Sequence, residues 1–444
     1  MKCRFASSVV LFCLASAWAS GCSSSSAKPA ASGSGGAPSG GNTGGSDNGG
    51  STSADAGAVP PDADVSMHSI DPTDTNHLLY MGRIDFTDPA KPKFWAPAVV
   101  ISARFVGTSV TVKVQDSFKG ENWYEVVVDR DPTLTYIFRP KTSTNSYTAF
   151  TNLPYGEHLV EFVKRTETSA GSGVFLGFEV GGVPLPAPAR PTRRIEAIGD
   201  SITAGSGVEP GQNQANCSGN AAENAYMSYG AVLARNLNAE YHITAAGGRG
   251  ILENYECHSL DTLPAGYDHW DQRDLTSGVW DPTTYIPDAI IIGLGTNDFS
   301  PDNCAKPPIS EACDPAKFQQ IVGAFEAFVS KLRGYYPGAH IFLTSSPMLT
   351  DAWPPAVTLD SGVSCPYTSR TSQIEAITLA VNHFNVDLDD AKVHVVPTVP
   401  KGLGLGCGTH PNAIEQKEIG GTADSYFPDA ASWLFNPVKS ALGW

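Results

Sequence analysis

The chain has 444 residues and a formal charge of −16, with 41% hydrophobic residues. The length suggests two or three domains, and the hydrophobic content is ordinary for a globular protein. So acidic a balance excludes nucleic acid, whose phosphates need a basic surface, and electrostatic docking on anionic lipid; neutral substrates stay open.

Met1-Lys2-Cys3-Arg4 is followed by an apolar run from Ser8 to Trp18 and then Ala19-Ser20-Gly21-Cys22. A positive start, a short apolar stretch and small residues at its end predict a secretory signal peptide over residues 1–22. The run is too short for a good membrane span. The small residues before Cys22 resemble a bacterial lipoprotein signal, which implies cleavage before Cys22 and lipidation of its thiol. An ordinary signal peptide is the alternative. Ser23 after Cys22 would favour the outer membrane in a Gram-negative cell. Localisation is therefore expected to be exported and lipid-anchored at the cell surface, or secreted. Residues 23–65 are mostly Ser, Gly, Ala, Asn, Asp and Pro. They cannot bury enough surface to offset ordering entropy, so they predict a flexible tether spanning about 35–40 Å.

Residues 66–188 predict an all-β domain. Short runs at 99–105, 109–114, 124–129, 134–138, 158–164 and 174–180 read as strands broken by turn residues, a spacing that suggests a β-sandwich or jelly roll. Pro184-Leu185-Pro186-Ala187-Pro188 reads as a stiff linker. Such a domain is either a carbohydrate-binding module or a structural partner that packs against the domain after it. Trp95, Trp123 and Tyr124 either stack on sugar or belong to the core.

Residues 189–444 alternate strands and helices. Strands are predicted at 195–199, 240–246, 287–294, 339–344 and 393–397. Helices are predicted at 224–238, 315–333 and 372–384, with a last one starting near Asn412. That alternation predicts an α/β three-layer domain with a parallel sheet. Each strand end carries chemistry. The first ends in Gly199-Asp200-Ser201, the second in Gly247-Gly248-Arg249-Gly250 and the third in Gly295-Thr296-Asn297-Asp298. A late loop holds Cys407-Gly408-Thr409-His410-Pro411-Asn412.

These four blocks, in this order, resemble the SGNH, or GDSL, hydrolase superfamily from about Arg194 to the C-terminus. A β-sandwich running into Arg194-Ile195-Glu196-Ala197-Ile198-Gly199-Asp200-Ser201 is similar to carbohydrate esterase family 2, as are Tyr80-Met81-Gly82-Arg83 and the Gly248-Arg249-Gly250 turn. That resemblance implies a serine esterase that removes O-acetyl groups from plant polysaccharides such as xylan or mannan. The alternatives are an SGNH esterase or lipase acting on other acyl esters, and a non-catalytic surface carbohydrate-binding lipoprotein. The implied roles are Ser201 as nucleophile, His410 as base, and an oxyanion hole from the Ser201 N–H, the Gly248 N–H and the Asn297 amide. Gly247 replaces Gly248 if the alignment slips by one. No cofactor or metal is expected, since acidic residues and histidines are not grouped at ligand spacing. The expected partners are acetylated poly- or oligosaccharide and, through the lipid alone, a membrane.

Two points depart from the family pattern or stay open. The place three residues before His410, where an Asp is usual, holds Cys407. A Ser–His dyad with a main-chain carbonyl orienting the imidazole is therefore expected, although a carboxylate from elsewhere, such as Asp429, stays open. Six cysteines remain outside the leader: Cys217, Cys257, Cys304, Cys313, Cys365 and Cys407. An even number in an exported chain predicts disulfides, with fifteen possible pairings. Local loop closure suggests Cys217–Cys257, Cys304–Cys313 and Cys365–Cys407, the last bracing the His410 loop.

Overall fold

The computed structural model describes residues 59–444 except 118–119, 142–144, 210–218, 256, 258–259, 301–307, 353, 360, 363, 399–403 and 422–432. The predicted signal peptide with Cys22, most of the predicted tether, Cys217, Cys304 and Asp429 lie outside the described residues.

The N-terminal domain is an antiparallel nine-stranded sheet folded as a β-sandwich. Its core holds Phe94, Phe105, Tyr124, Phe162, Phe175 and Phe178, all almost fully buried. Two predicted strands are one: Val100–Asp116 runs for 17 residues through Gly107 and Thr108. Gly107 looks like a turn residue, but a Cβ there would lie 2.1 Å from the Gly181 carbonyl oxygen. The glycine lets a neighbouring strand cross close by, and the register shifts just beyond it. The strand that begins at Gly173 likewise continues through Pro184 to Leu185, where a linker was expected.

The C-terminal domain carries a five-stranded sheet in which all pairs are parallel. Its spatial order is Ala239–Ala245, Arg193–Gly199, Ala289–Gly293, His340–Thr344, Val393–Val396. The central strand Ala289–Gly293 is a short apolar run buried almost throughout, as a sheet covered by helices requires. Helix Pro315–Tyr335 covers one face through Phe318, Ile321, Phe325 and Leu332, joined by helix Ser369–Asn382. Helices Tyr229–Asn236, Ala413–Gly420 and Phe435–Leu442 cover the other. The predicted 224–238 helix is shorter because Asn224 caps a separate turn, Ala225–Met227, and Ser228 is extended before Tyr229.

The two domains share apolar core. Leu79, Met81, Val100, Val127 and Val163 of the sandwich pack in one cluster with Ile195, Tyr226 and Leu233 of the hydrolase domain. Trp95 stacks on Trp270 across the boundary with centroids 6.3 Å apart, and Tyr124 is sandwich core. Trp123 is half-buried. Packing of this kind makes the sandwich a structural partner of the catalytic domain.

The expected cysteine pairing is corrected. Cys313 bonds Cys365, bridging 52 residues between the segment before helix Pro315–Tyr335 and the short strand Ser364–Cys365. Cys304–Cys313 and Cys365–Cys407 are thereby ruled out. Loop closure misleads here because the fold brings residues distant in sequence to a Cα separation of 5.8 Å, well within disulfide reach. Cys257 and Cys407 are also disulfide-bonded.

Candidate active site

The sheet dictates where the site lies. The Arg193–Gly199 strand has its chain successors on opposite sides, Ala239–Ala245 on one and Ala289–Gly293 on the other. Connections leave in opposite directions at such a point and open a crevice at the carboxyl ends of the strands. All three strand-end blocks meet there.

Asp200 is buried and caps the short helix Ser201–Ala204, its side chain accepting the Ile202 N–H at 3.0 Å. Burial pushes its carboxyl up to about 6. The cap fixes the turn that exposes Ser201. The His410 Nε2 lies 2.8 Å from the Ser201 Oγ. The His410 Nδ1 lies 3.0 Å from the Gly408 carbonyl oxygen. An acceptor at Nδ1 requires the proton there, which leaves the Nε2 lone pair facing the serine. A backbone carbonyl thus occupies the orienting position where a carboxylate is usual.

That geometry is built by an unusual loop. Gly408 and Thr409 both have left-handed φ, +61° and +64°. For Thr409, a β-branched residue, that is a strained conformation. The turn is held by the Gly406 N–H on the His410 carbonyl at 2.9 Å and the Gly404 N–H on the Thr409 carbonyl at 2.8 Å. Gly207 also braces it, its carbonyl accepting the Cys407 N–H at 2.8 Å. A Cβ on Gly207 would sit 2.2 Å from the Cys407 oxygen and 2.8 Å from the His410 Cβ, so nothing larger fits. Beyond His410, Asn412 and Glu415 form a capping box that starts helix Ala413–Gly420. Gln416 on that helix donates to the Ile202 carbonyl at 3.0 Å and accepts the Tyr229 N–H at 2.9 Å. The histidine helix is therefore tied directly to the serine helix.

The remaining donors converge from the other strand ends. Gly248 has φ +75° and nothing closer than the Tyr255 Cβ at 3.8 Å where its own Cβ would be. The Gly247 N–H is engaged by the Glu167 carboxylate, so of the two glycines only Gly248 keeps its N–H clear of that bond. Asn297 is buried, and its Nδ2 donates to the Arg249 carbonyl at 2.8 Å. That bond uses one of two amide hydrogens and holds the group in place. Asp298 accepts the N–H groups of Ile251, Leu252 and Glu253 at 2.8–2.9 Å, locking the second strand-end loop to the third. Ser201, Gly248, Asn297 and His410 line one cleft of about 380 Å³, along with Tyr255, Met348, Leu349 and Thr350. Such a set can activate a hydroxyl and receive an oxyanion, the two requirements of acyl transfer.

Burial pushes the His410 imidazole below its ordinary range, while the Gly408 and Cys407 carbonyls and the Glu167 charge pull the other way. A general base works only when neutral, so activity rises as pH climbs through its pKa. The acid limb of kcat/KM is expected below pH ~6.5, the unperturbed histidine value. A pH–rate profile with its acid midpoint at or above 7 would contradict this.

Sequence reasoning missed Gly207, Gln416 and Glu167, and expected a main-chain carbonyl at His410 without naming that of Gly408. The first three carry no motif, and a main-chain oxygen has no residue signature at all.

A family model described as "Carbohydrate esterase 2 N-terminal" matches residues 80–188, and one for the "GDSL-like Lipase/Acylhydrolase family" matches residues 197–414. The "Cellulase/esterase CelE" of Acetivibrio thermocellus is 38% identical over 375 residues, which cover 84% of this chain and 40% of that protein, so the chain spans less than half of that relative. An "Acetylxylan esterase / glucomannan deacetylase" of Cellvibrio japonicus is 31% identical over 288 residues, covering 64% of this chain and 75% of that one. The solved structure of a family two carbohydrate esterase from Clostridium thermocellum, in complex with cellohexaose, superposes with a TM-score of 0.67 at 32% identity, covering 83% of this chain and 99% of that one. With both domains matched in order and the esterase blocks gathered in one cleft, the chain belongs to carbohydrate esterase family 2.

Proposed function

We propose that the protein removes O-acetyl groups from acetylated polysaccharides of the xylan and glucomannan type. The observation that carries the reading is the 2.8 Å Ser201–His410 contact in a cleft shared with Gly248 and Asn297. His410 takes the Ser201 proton as Oγ attacks the acetyl carbonyl. The carbonyl oxygen becomes an oxyanion held by the Ser201 and Gly248 N–H groups and the Asn297 amide. His410 returns the proton to the departing sugar hydroxyl, leaving acetyl-Ser201. Water, deprotonated by His410, then releases acetate and restores the serine.

The lining offers a hydroxylated substrate hydrogen-bond partners beside the apolar Met348 and Leu349. Ser206, Thr296, Ser300, Thr350 and Thr409 supply polar groups, and half-exposed Tyr255 offers an aromatic face. The names of the relatives point to the same substrate class. The leader composition supports export and anchoring through Cys22, with the tether letting the catalytic body reach polymer.

The test is a panel of p-nitrophenyl acetate, butyrate and octanoate beside acetylated xylan and acetylated glucomannan. Acetate release from polymer and at least about a tenfold preference in kcat/KM for acetyl over octanoyl are expected, the scale on which a cleft discriminates chain length. A preference for octanoate would favour the lipase reading. Absence of any turnover would leave a binding protein.

A further inference from the structure

The geometry points to Arg273 as a positioning residue of the oxyanion hole, aiming the Gly248 N–H by holding the carbonyl at the other end of the same peptide. This rests on the esterase reading above and extends it to a residue outside the four motif blocks.

A trans peptide is planar, with its C=O and N–H pointing in opposite directions. The Gly247 carbonyl and the Gly248 N–H belong to one such plane. Arg273 Nη1 donates to the Gly247 carbonyl oxygen at 2.6 Å. Fixing that oxygen on one side fixes the direction of the Gly248 N–H on the other, and Gly248 lines the cleft. The neighbouring groups are all spoken for. The Gly247 N–H goes to the Glu167 carboxylate, and the Gly248 carbonyl accepts the Tyr255 N–H at 2.8 Å. Among the described residues the Gly248 N–H donates to no protein acceptor.

The clamp closes on itself across the domain boundary. Arg273 Nη1 lies 3.8 Å from the Glu167 Oε1, so the cation on the carbonyl and the carboxylate on the preceding N–H also face each other. Glu167 belongs to the sandwich domain and is itself anchored. Its N–H donates to Glu223 at 2.7 Å, and its carbonyl accepts from the buried Lys164 Nζ at 2.9 Å. A Cβ on Gly247 would meet the Glu167 Oε2 at 2.8 Å, so a larger residue there would displace that carboxylate from the Gly247 N–H. A guanidinium on the carbonyl also draws electron density from the peptide and strengthens its N–H as a donor, as linked hydrogen bonds polarise one another.

An oxyanion donor acts on the transition state more than on bound substrate, so misaiming it lowers kcat and spares KM. The experiment measures kcat and KM of Arg273→Ala, Arg273→Gln and Arg273→Lys on p-nitrophenyl acetate, with active sites counted by stoichiometric labelling with a phosphonate ester. Arg273→Ala is expected to lose about 10- to 100-fold in kcat per labelled site, somewhat less than deletion of a donor, with KM within about twofold. Lys, which keeps a cationic donor, should recover most of the loss and neutral Gln a smaller part. If the alanine variant does not accumulate folded, the Gln and Lys variants decide the matter by the same ordering. A kcat within twofold of the parent in Arg273→Ala and Arg273→Gln would overturn the assignment, as would a Lys variant as impaired as the others. Failure of the esterase reading looks different, because the unsubstituted protein would then not turn over the ester.

Discussion

Ser201→Ala and His410→Ala will each lower kcat for acetyl ester hydrolysis by roughly 10⁴–10⁶-fold, and the double variant will be no slower than the slower single one. The expectation follows from the way the two groups are joined. The serine hydroxyl is a weak nucleophile, and among the described residues its only base within hydrogen-bond distance is the His410 Nε2, at 2.8 Å. Removing either leaves the other without a task, so the losses do not add. What remains is the contribution of substrate binding and of the Gly248 and Asn297 donors. The variants should fold normally, because Ser201 Oγ and the His410 ring bond each other and the Gly408 carbonyl while the helices around them are held by Asp200, Asn412 and Gln416. Rates are to be measured on p-nitrophenyl acetate and on acetylated xylan, with circular dichroism as the folding check. A double variant a further thousandfold slower than either single one would mean that the two groups act in separate steps.

The chemistry of this site is legible in sequence wherever it depends on residue type at a strand end. Ser201, Gly248 and Asn297 sit one to four residues beyond apolar runs, and the parallel topology carries such positions to one crevice. His410 is legible for a related reason, since His-Pro-Asn marks the start of a helix and the helix must pack back onto the sheet. The absence of an Asp at position 407 is just as legible. That a main-chain carbonyl replaces it follows from the family resemblance, but which one does not, because the Gly408 carbonyl depends on two consecutive left-handed residues rather than on side-chain identity. Cysteine pairing fails for the same kind of reason. Local closure entropy ranks short loops first, yet the Cys313–Cys365 contact comes from packing of elements 52 residues apart. The structural role of the sandwich is not legible either, because it rests on side chains that pack into a domain further along the chain, such as Met81 and Val163 against Tyr226 and Leu233.

Arg83 is the sharpest case of that support, and replacing it with alanine is expected to destabilise the protein by about 3–5 kcal/mol. Arg83 comes from the sandwich, is 1% exposed, and donates to the Glu196 Oε1 at 2.9 Å and to the Tyr267 carbonyl at 2.5 Å. Its guanidinium lies over the Trp280 ring at 3.7 Å and the Tyr267 ring at 4.6 Å. Glu196 is fully buried on the strand that leads to Ser201, and it also accepts from Thr244 Oγ1 at 2.6 Å and the Tyr267 hydroxyl at 2.8 Å. Deleting the arginine strands a carboxylate among apolar and aromatic groups, where two neutral donors cannot replace a cation. Denaturant titration should show the midpoint fall with little change in slope. Adding Glu196→Gln to the alanine variant removes the stranded charge and should recover a substantial part of the loss. The single variants and the pair then form a cycle whose coupling measures the ion pair itself. If Arg83→Ala costs less than about 1 kcal/mol, the sandwich holds the catalytic sheet through its other contacts, and the buried pair does no more than neutralise itself. If the predicted loss appears and Glu196→Gln relieves it, the charge on the strand before Ser201 is what makes the catalytic domain depend on the sandwich.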